Sequence, residues 1–318
     1  VSNATLHNFD EIEKKDVRVG DTVQIQRAGD VIPQILKVIK KNEKRNKLIL
    51  PPTKCPICGS KTLKEKDEAV IRCSNSNFCK DQILGSIIHF VSKKSLNIEG
   101  LGEKQIKQLY SLKIIKNTLD IFTLDNFKEK IVDLDGWGSL SYRNLVDSIN
   151  SSKSVDLDKF IYSLGIRYVG ENISLLLSKE FGSISSFINS TQNKDKLLNI
   201  DGLGPKAIES ILEYFKNDRN HKLVINLKNI LKIKNYNKPK STSLISNKNI
   251  VFTGSLLKLS RDEAKHQAIQ MGAKISSSVS KNTDYLIIGE KPGNKEKKAK
   301  ELGISILTEE DWIKIINS

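Results

Sequence analysis

The sequence is short of the residues that build one large core and of those that lock a secreted fold. Across 318 residues there are two Trp, one Met and 6% aromatics, enough for several small cores rather than one extensive interior. At roughly 100–200 residues per domain, the length calls for two or more domains. No apolar run approaches the ~18 residues of a membrane span. The opening residues Val1-Ser2-Asn3-Ala4-Thr5 carry neither a basic nor an apolar segment, so no signal peptide is expected. They also lack an initiator Met, which is read as processing or as one piece of something longer. The four cysteines all fall between residues 55 and 79. A secreted disulfide framework would spread its cysteines wider, so an intracellular metal site is the better reading. Arginine is scarce as well, at eight of the 52 basic residues.

What is present is positive charge. The 52 Lys and Arg against 37 Asp and Glu leave a net +15, which suits an anionic partner, most simply nucleic acid. The dominance of Lys and the many Asn are equally explained by biased composition. The excess is also spread along the chain, with 16 basic and 11 acidic residues in 1–82, 24 and 17 in 83–246, and 12 and 9 in 247–318. Motifs, not bulk charge, must identify the sites.

Residues 1–50 read as strands. Thr22–Arg27 alternates with period two, Ala28-Gly29-Asp30 turns, and Val31–Ile39 follows, with Pro33 at an edge or bulge. Lys47–Leu50 is expected as a third short strand. So few strands do not make a stable domain alone, so this stretch reads as the rear half of a small barrel. Residues 83–233 are dominated by helical periodicity. Residues 234–246 are polar, with Pro, Ser and Lys, and suit a linker; no acidic residue occurs between Asp218 and Asp262. Residues 247–318 read as an α/β module, with strands at Ile250–Thr253, Lys274–Ser276, Tyr285–Ile288 and Ile304–Leu307, and helices at Arg261–Met271, Lys295–Leu302 and Glu309–Ile316.

Cys55-Pro56-Ile57-Cys58-Gly59 is a metal knuckle, and Cys73 and Cys79 form a second pair. Four thiolates at this spacing suit tetrahedral Zn²⁺. Since protein fills all four positions, the metal would be structural. The competing readings are two free-thiol pairs or a redox Cys-x-x-Cys, and redox work has no need of the second pair or of Gly59.

The middle zone repeats itself. Leu96–Gly102, Val132–Gly138, Leu164–Gly170 and Leu198–Gly204 align, with final glycines 36, 32 and 34 residues apart, each before a helical pattern. Apolar-x-Gly-apolar-Gly ahead of a helix is a helix-hairpin-helix signature. Glycine permits positive φ and removes Cβ, letting a phosphate reach the N–H groups of the helix start. Such contacts read the backbone and not the bases. The candidate contacts are Gly100, Gly102, Gly136, Gly138, Gly170, Gly202 and Gly204. The third copy departs, with Tyr168 at the first glycine position, while its Arg167 offers a charged contact. The alternative is that these are only tight turns between helices.

The order of these parts, with Ala4-Thr5-Leu6-His7-Asn8 and Arg27-Ala28-Gly29-Asp30-Val31-Ile32-Pro33 ahead of the cysteines, closely resembles the C-terminal portion of the bacterial NAD-dependent DNA ligases. The resemblance implies a multidomain chain: a partial β-barrel (OB-fold) over 1–50, a four-cysteine zinc finger over 51–82, an all-α helix-hairpin-helix domain over 83–233, a linker over 234–246 and an α/β BRCT domain over 247–318. The last is marked by Phe252-Thr253-Gly254, Gly272-Ala273 and Trp312. It implies that Arg27, Val31 and Ile32 engage DNA, whereas apart from the resemblance Val31 and Ile32 read as barrel core. It implies nicked duplex DNA as partner, structural Zn²⁺ here, and NAD and Mg²⁺ for the complete ligase. A monomeric, cytoplasmic protein of DNA replication and repair is expected, with no membrane partner. The family's Lys-x-Asp-Gly nucleophile has no match: the residues two before Asp135-Gly136 and Asp201-Gly202 are Asp133 and Asn199. The adenylation half is therefore expected to be a missing partner. A stand-alone DNA-binding scaffold and a nuclease or repair subunit are the other readings. In the BRCT-like module, a phosphate pocket at Thr253-Gly254 with Lys295 or Lys298 competes with simple packing or DNA contact.

Overall fold

The computed structural model describes residues 1–28, 32–65, 68–75, 78–237 and 244–317. They divide into two compact units, the first spanning Val1–Ser152 with Ser163–Gly165, the second Lys153–Tyr162 and the chain from Ile166 onward.

In the first unit, the opening segment is not all strand. Helix α1 (Phe9–Lys15) starts where the Asn8 carboxamide oxygen accepts the Glu11 N–H at 2.9 Å. Asp10 and Glu11 sit in its first turn and Lys14 and Lys15 in its last, as the helix dipole favours. Strands β1 (Thr22–Ala28) and β2 (Ile32–Lys40) pair antiparallel, with two register irregularities along β1. Pro33 has no N–H, and its carbonyl accepts the Thr5 N–H at 2.8 Å from outside the hairpin. The strand expected at Lys47–Leu50 does not form; among the described residues nothing pairs with it, and Leu50 is exposed. A strand without a ladder partner has no use for its backbone groups.

Strands β3 (Thr62–Lys64) and β4 (Ile71–Cys73) make a small hairpin, and helix α2 (Lys80–Val91) follows directly. Leu84, Ile87, Phe90 and Val91 bury one face of α2. Helix α3 (Glu103–Ser111), a 3₁₀ stretch (Thr118–Phe127), α4 (Lys128–Val132) and α5 (Ser139–Ser152) complete this unit.

The second unit opens with β5 (Ser154–Asp156) and α6 (Leu157–Ser163). Helices α7 (Glu171–Phe181), α8 (Ile184–Ser190), α9 (Lys194–Leu198), α10 (Pro205–Lys216) and α11 (Asp218–Ile230) follow. Strand β6 (Lys232–Lys234) then returns parallel to β5. Beyond it, β7 (Asn249–Thr253), α12 (Arg261–Gln270), β8 (Lys274–Ile275), β9 (Tyr285–Ile288), α13 (Asn294–Glu301), β10 (Ser305–Thr308) and α14 (Glu309–Asn317) build a parallel sheet ordered β10-β9-β7-β8. Period two in β7 sends Ile250 and Phe252 to one core with Trp312 and Val251 to another with Leu286 and Ala299, as a parallel sheet covered on both faces requires. Phe252 meets the fully buried Trp312 edge-on at 5.3 Å. Within the expected linker, residues 238–243 lie outside the described residues.

Candidate metal centre and nucleic-acid interface

The knuckle is shaped by backbone. The Gly59 N–H donates to the Cys55 carbonyl at 2.9 Å, the Cys55 N–H donates to that of Ser60 at 2.7 Å, and Gly59 takes φ +72°. Cys73 ends β4, and Cys79 stands at the N-cap of α2. The four sulfurs, none in a disulfide, converge to within 4.8 Å of one another, with Cys58–Cys73 at 3.4 Å and Cys55–Cys79 at 4.0 Å. The Ser60 hydroxyl pulls the Cys58 thiol down to about 6. Cys73 is pushed up to about 12: the Asn75 N–H favours its thiolate, but burial and the Cys58 and Cys55 sulfurs outweigh that. Four crowded sulfurs cannot all ionise unaided, and a dication removes that conflict. The donor set therefore fits Zn²⁺, which Cys55, Cys58, Cys73 and Cys79 would hold with no position left for substrate. The ion would supply a cross-link between the β3–β4 hairpin and the start of α2.

The glycine turns divide their work. The first motif position takes φ +88° at Gly100, +79° at Gly136 and +83° at Gly202, and Tyr168 is held at +61° in the same place. The second glycine starts the helix. Gly102, Gly170 and Gly204 are the N-caps of α3, α7 and α10, and no side chain caps those helices. Gly138 precedes α5, whose Tyr142 N–H returns to the Gly138 carbonyl at 3.0 Å. A Cβ built at Gly138, Gly170 or Gly204 meets nothing within 4 Å, and one at Gly102 meets only the tip of Gln105, at 3.0 Å. Protein packing therefore does not call for glycine at these helix starts, whereas close approach of a phosphate does.

The motifs are joined in pairs. In the first unit a Cβ on Gly100 would pack on Leu145 of α5, and the Glu99 N–H reaches the Ser148 hydroxyl at 2.7 Å. Reciprocally, Gln108 of α3 donates to the Asp135 carbonyl at 3.2 Å and accepts from Trp137 Nε1 at 2.9 Å. In the second unit the Gly202 turn faces Leu176 of α7, while Tyr168 lies against Lys206 of α10. Each turn thus rests on the helix that follows its partner turn.

Arg27 is exposed near the end of β1, and Ile32 is 57% exposed at the start of β2. Val31 lies outside the described residues. In the last module the Thr253 hydroxyl donates to the Pro292 carbonyl at 2.7 Å, and the Ser255 N–H to that of Glu290 at 2.8 Å. The Thr253 hydroxyl and the Ser255 N–H, two donors beside the expected phosphate pocket, are thus engaged inside the fold.

Two constellations had no clear sequence signal. His266 of α12 places Nε2 3.3 Å from Asp156 and Nδ1 3.5 Å from Asp158, joining residues more than a hundred positions apart. Asp156 also pairs with Lys234 at 3.4 Å. The other is the packing of Arg167 and Lys206 on the Tyr168 ring. No helix among the described residues is long and apolar enough to cross a membrane.

Comparison with known proteins agrees with this geometry. Residues 1–47 match the NAD-dependent DNA ligase OB-fold domain and 54–80 the NAD-dependent DNA ligase C4 zinc finger domain. Residues 159–224 match the helix-hairpin-helix motif and 240–316 the BRCT domain. The chain is 45% identical over 329 residues to a DNA ligase of Rickettsia bellii, covering 99% of this chain and 48% of the relative. It is 45% identical over 325 residues to a DNA ligase of Wolbachia pipientis wMel, covering 100% of this chain and 49% of the relative. The chain thus spans about half the length of the curated relatives it matches.

Proposed function

From the premise that this chain carries the C-terminal domains of the NAD-dependent DNA ligases, we propose that it grasps nicked duplex DNA for a ligase sealing 5′-phosphate/3′-hydroxyl nicks in the bacterial cytoplasm, during replication and repair. The observation that carries this is the set of helix starts at Gly102, Gly138, Gly170 and Gly204, at the last three of which the missing side chain leaves room that the fold itself does not use. Gly100, Gly136 and Gly202 shape the turns, Arg167 adds charge, and Arg27, Val31 and Ile32 extend the contact onto the OB part. The working division is 1–50, 51–82, 83–233, a linker at 234–246, and 247–318. The protein acts as a monomer beside the adenylation half that uses NAD and Mg²⁺. The ligase-specific OB and zinc-finger matches favour this over a nuclease subunit or a free-standing scaffold.

The test is anisotropy on nicked and intact duplexes of unrelated sequence. The triple variant Gly138→Ala/Gly170→Ala/Gly204→Ala has room for each methyl and should keep the wild-type circular dichroism. It should bind every sequence at least about tenfold more weakly, and wild-type affinity should fall steeply with salt as counterions are released. Unchanged binding by a folded triple variant would remove the helix starts from the interface.

A further inference from the structure

One cluster of titratable side chains belongs neither to the cysteine knuckle nor to the glycine turns. His266, on α12 of the BRCT module, has a carboxylate at each ring nitrogen, Asp156 of β5 at 3.3 Å from Nε2 and Asp158 of α6 at 3.5 Å from Nδ1. A neutral imidazole carries one N–H and can donate to one of them, whereas the imidazolium donates to both. A metal held by all three residues would need both carboxylates gathered at one ring nitrogen, and here each nitrogen has its own. The carboxylate oxygens stand within 4.8 Å of each other, so a cation between them also relieves their repulsion. The side chains of His266, Asp156 and Asp158 are 19%, 25% and 16% exposed, and salt screens such half-buried charges weakly.

Other charged groups surround this contact. Lys234 of β6 pairs with Asp156 at 3.4 Å, and Lys265 of α12 pairs with Asp262 of its own helix at 3.6 Å. Glu263 is turned to the start of α12, where its carboxylate accepts the Ser260 N–H at 2.8 Å. Tyr236, just past β6, is pushed up by burial and by the Asp158 charge, so its phenol stays neutral.

We propose that the His266 imidazolium is a pH-sensitive latch that holds the BRCT module against β5 and α6 and lets go as the ring loses its proton. Losing the proton removes one of two charge-assisted hydrogen bonds and turns a ring lone pair toward a carboxylate. Histidine ordinarily changes charge between about pH 5 and 8. Because the protonated ring makes the contact, docking is favoured on the acid side of that range and fades as pH rises. Below about pH 4 it fades again, as Asp158, raised by burial, takes up a proton.

The experiment is ¹⁵N relaxation on the whole chain at about pH 6 and about pH 8.5, on either side of histidine's ordinary range. It reads whether residues 249–317 tumble with residues 154–234 or on their own. Wild type should tumble as one body at the lower pH and release the module at the higher, the ratio of docked to free falling about tenfold. His266→Gln keeps a polar side chain without the charge, and should free the module at both pH values with circular dichroism unchanged. Asp156→Asn/Asp158→Asn leaves the ring able to titrate but gives it no carboxylate, and should free the module at both as well. One-body tumbling of wild type or of His266→Gln at both pH values would overturn the latch. So would a wild-type module that tumbles freely at the lower pH, or the wild-type pH response persisting in His266→Gln.

Discussion

Gly254 and Gly204 each mark a motif in the sequence, yet the structure asks opposite things of them. Gly254 takes φ +76°, and a Cβ there would stand 2.6 Å from the Glu290 carbonyl oxygen and 2.8 Å from that of Gly289, both immovable backbone. Gly204 takes φ −70° and faces open space. Gly254→Ala is expected to destabilise the BRCT module by about 2–4 kcal/mol, from left-handed strain plus overpacking. Gly204→Ala should stay within about 0.5 kcal/mol. Scanning calorimetry of the two variants checks this, and equal melting temperatures would contradict it. The repeat made the glycines legible, because spacing survives in the sequence. Which glycine serves the fold and which leaves a gap depends on what lies opposite, and that is set by residues far along the chain. Tyr168 was visible as a departure for the same reason, while its packing partner Lys206 was not.

Elements with strong local chemistry could be read in advance. The strands and helices of the last module fall within a residue or two of expectation, because apolar runs, the Ser260–Glu263 capping box and the acidic first turn of α14 are all local signals. The three-residue strands β5 and β6 are too short to show a period, and their pairing is made by chain ends some eighty residues apart. Lys47–Leu50 errs the other way, an apolar stretch with no ladder to join. The zinc finger is the element most dependent on something beyond its own side chains. Purified protein should contain one zinc per chain by elemental analysis. Chelation should unfold residues 54–80 and raise amide exchange in the first turn of α2, since structural zinc supplies roughly 10 kcal/mol or more to such folds. Metal well below one equivalent would refute this. The β5–β6 element carries a second test. Asp156 is held down to about 2 from 3.8, first by the His266 hydrogen bond and with help from Lys234 against the cost of burial. A depressed carboxyl contributes stability above its unfolded pKa and loses it as pH falls toward the folded value, here between about 4 and 2, an effect of about 2 kcal/mol. Asp158 is shifted the other way by burial and opposes this trend. Asp156→Asn should therefore lose less stability than wild type between pH 5 and 2 in urea titrations. Parallel acid profiles would show that the pair does not carry the effect.

At the scale of the whole molecule, the proposed function separates chemistry from grip. Adenylation by a ligase needs a nucleophilic lysine held beside the α-phosphate of NAD and activated by its site. In these 318 residues neither Asp-Gly step has a lysine two positions before it. An ordinary exposed lysine, with a pKa near 10.4, is protonated at neutral pH and is no nucleophile. The chain alone should form no enzyme–AMP adduct when incubated with NAD labelled in its adenylate, and a labelled band on denaturing electrophoresis would show an overlooked nucleophile. Fusion to the N-terminal half of a related ligase should restore nick sealing, because the proposed grip would orient the 3′-hydroxyl and 5′-phosphate that the chemistry joins. Supplying that half as a separate chain should restore far less. Ile25, Leu36 and Ile39 are exposed on the β1–β2 hairpin, which is apolar surface that a two-stranded sheet cannot cover by itself. A covalent connection holds a covering segment at millimolar effective concentration, whereas a separate chain must pay the full cost of association. Sealing rates measured for the fusion and for the mixture at micromolar protein separate the two cases. Equal rates would mean that the exposed hairpin residues have no part in joining the halves.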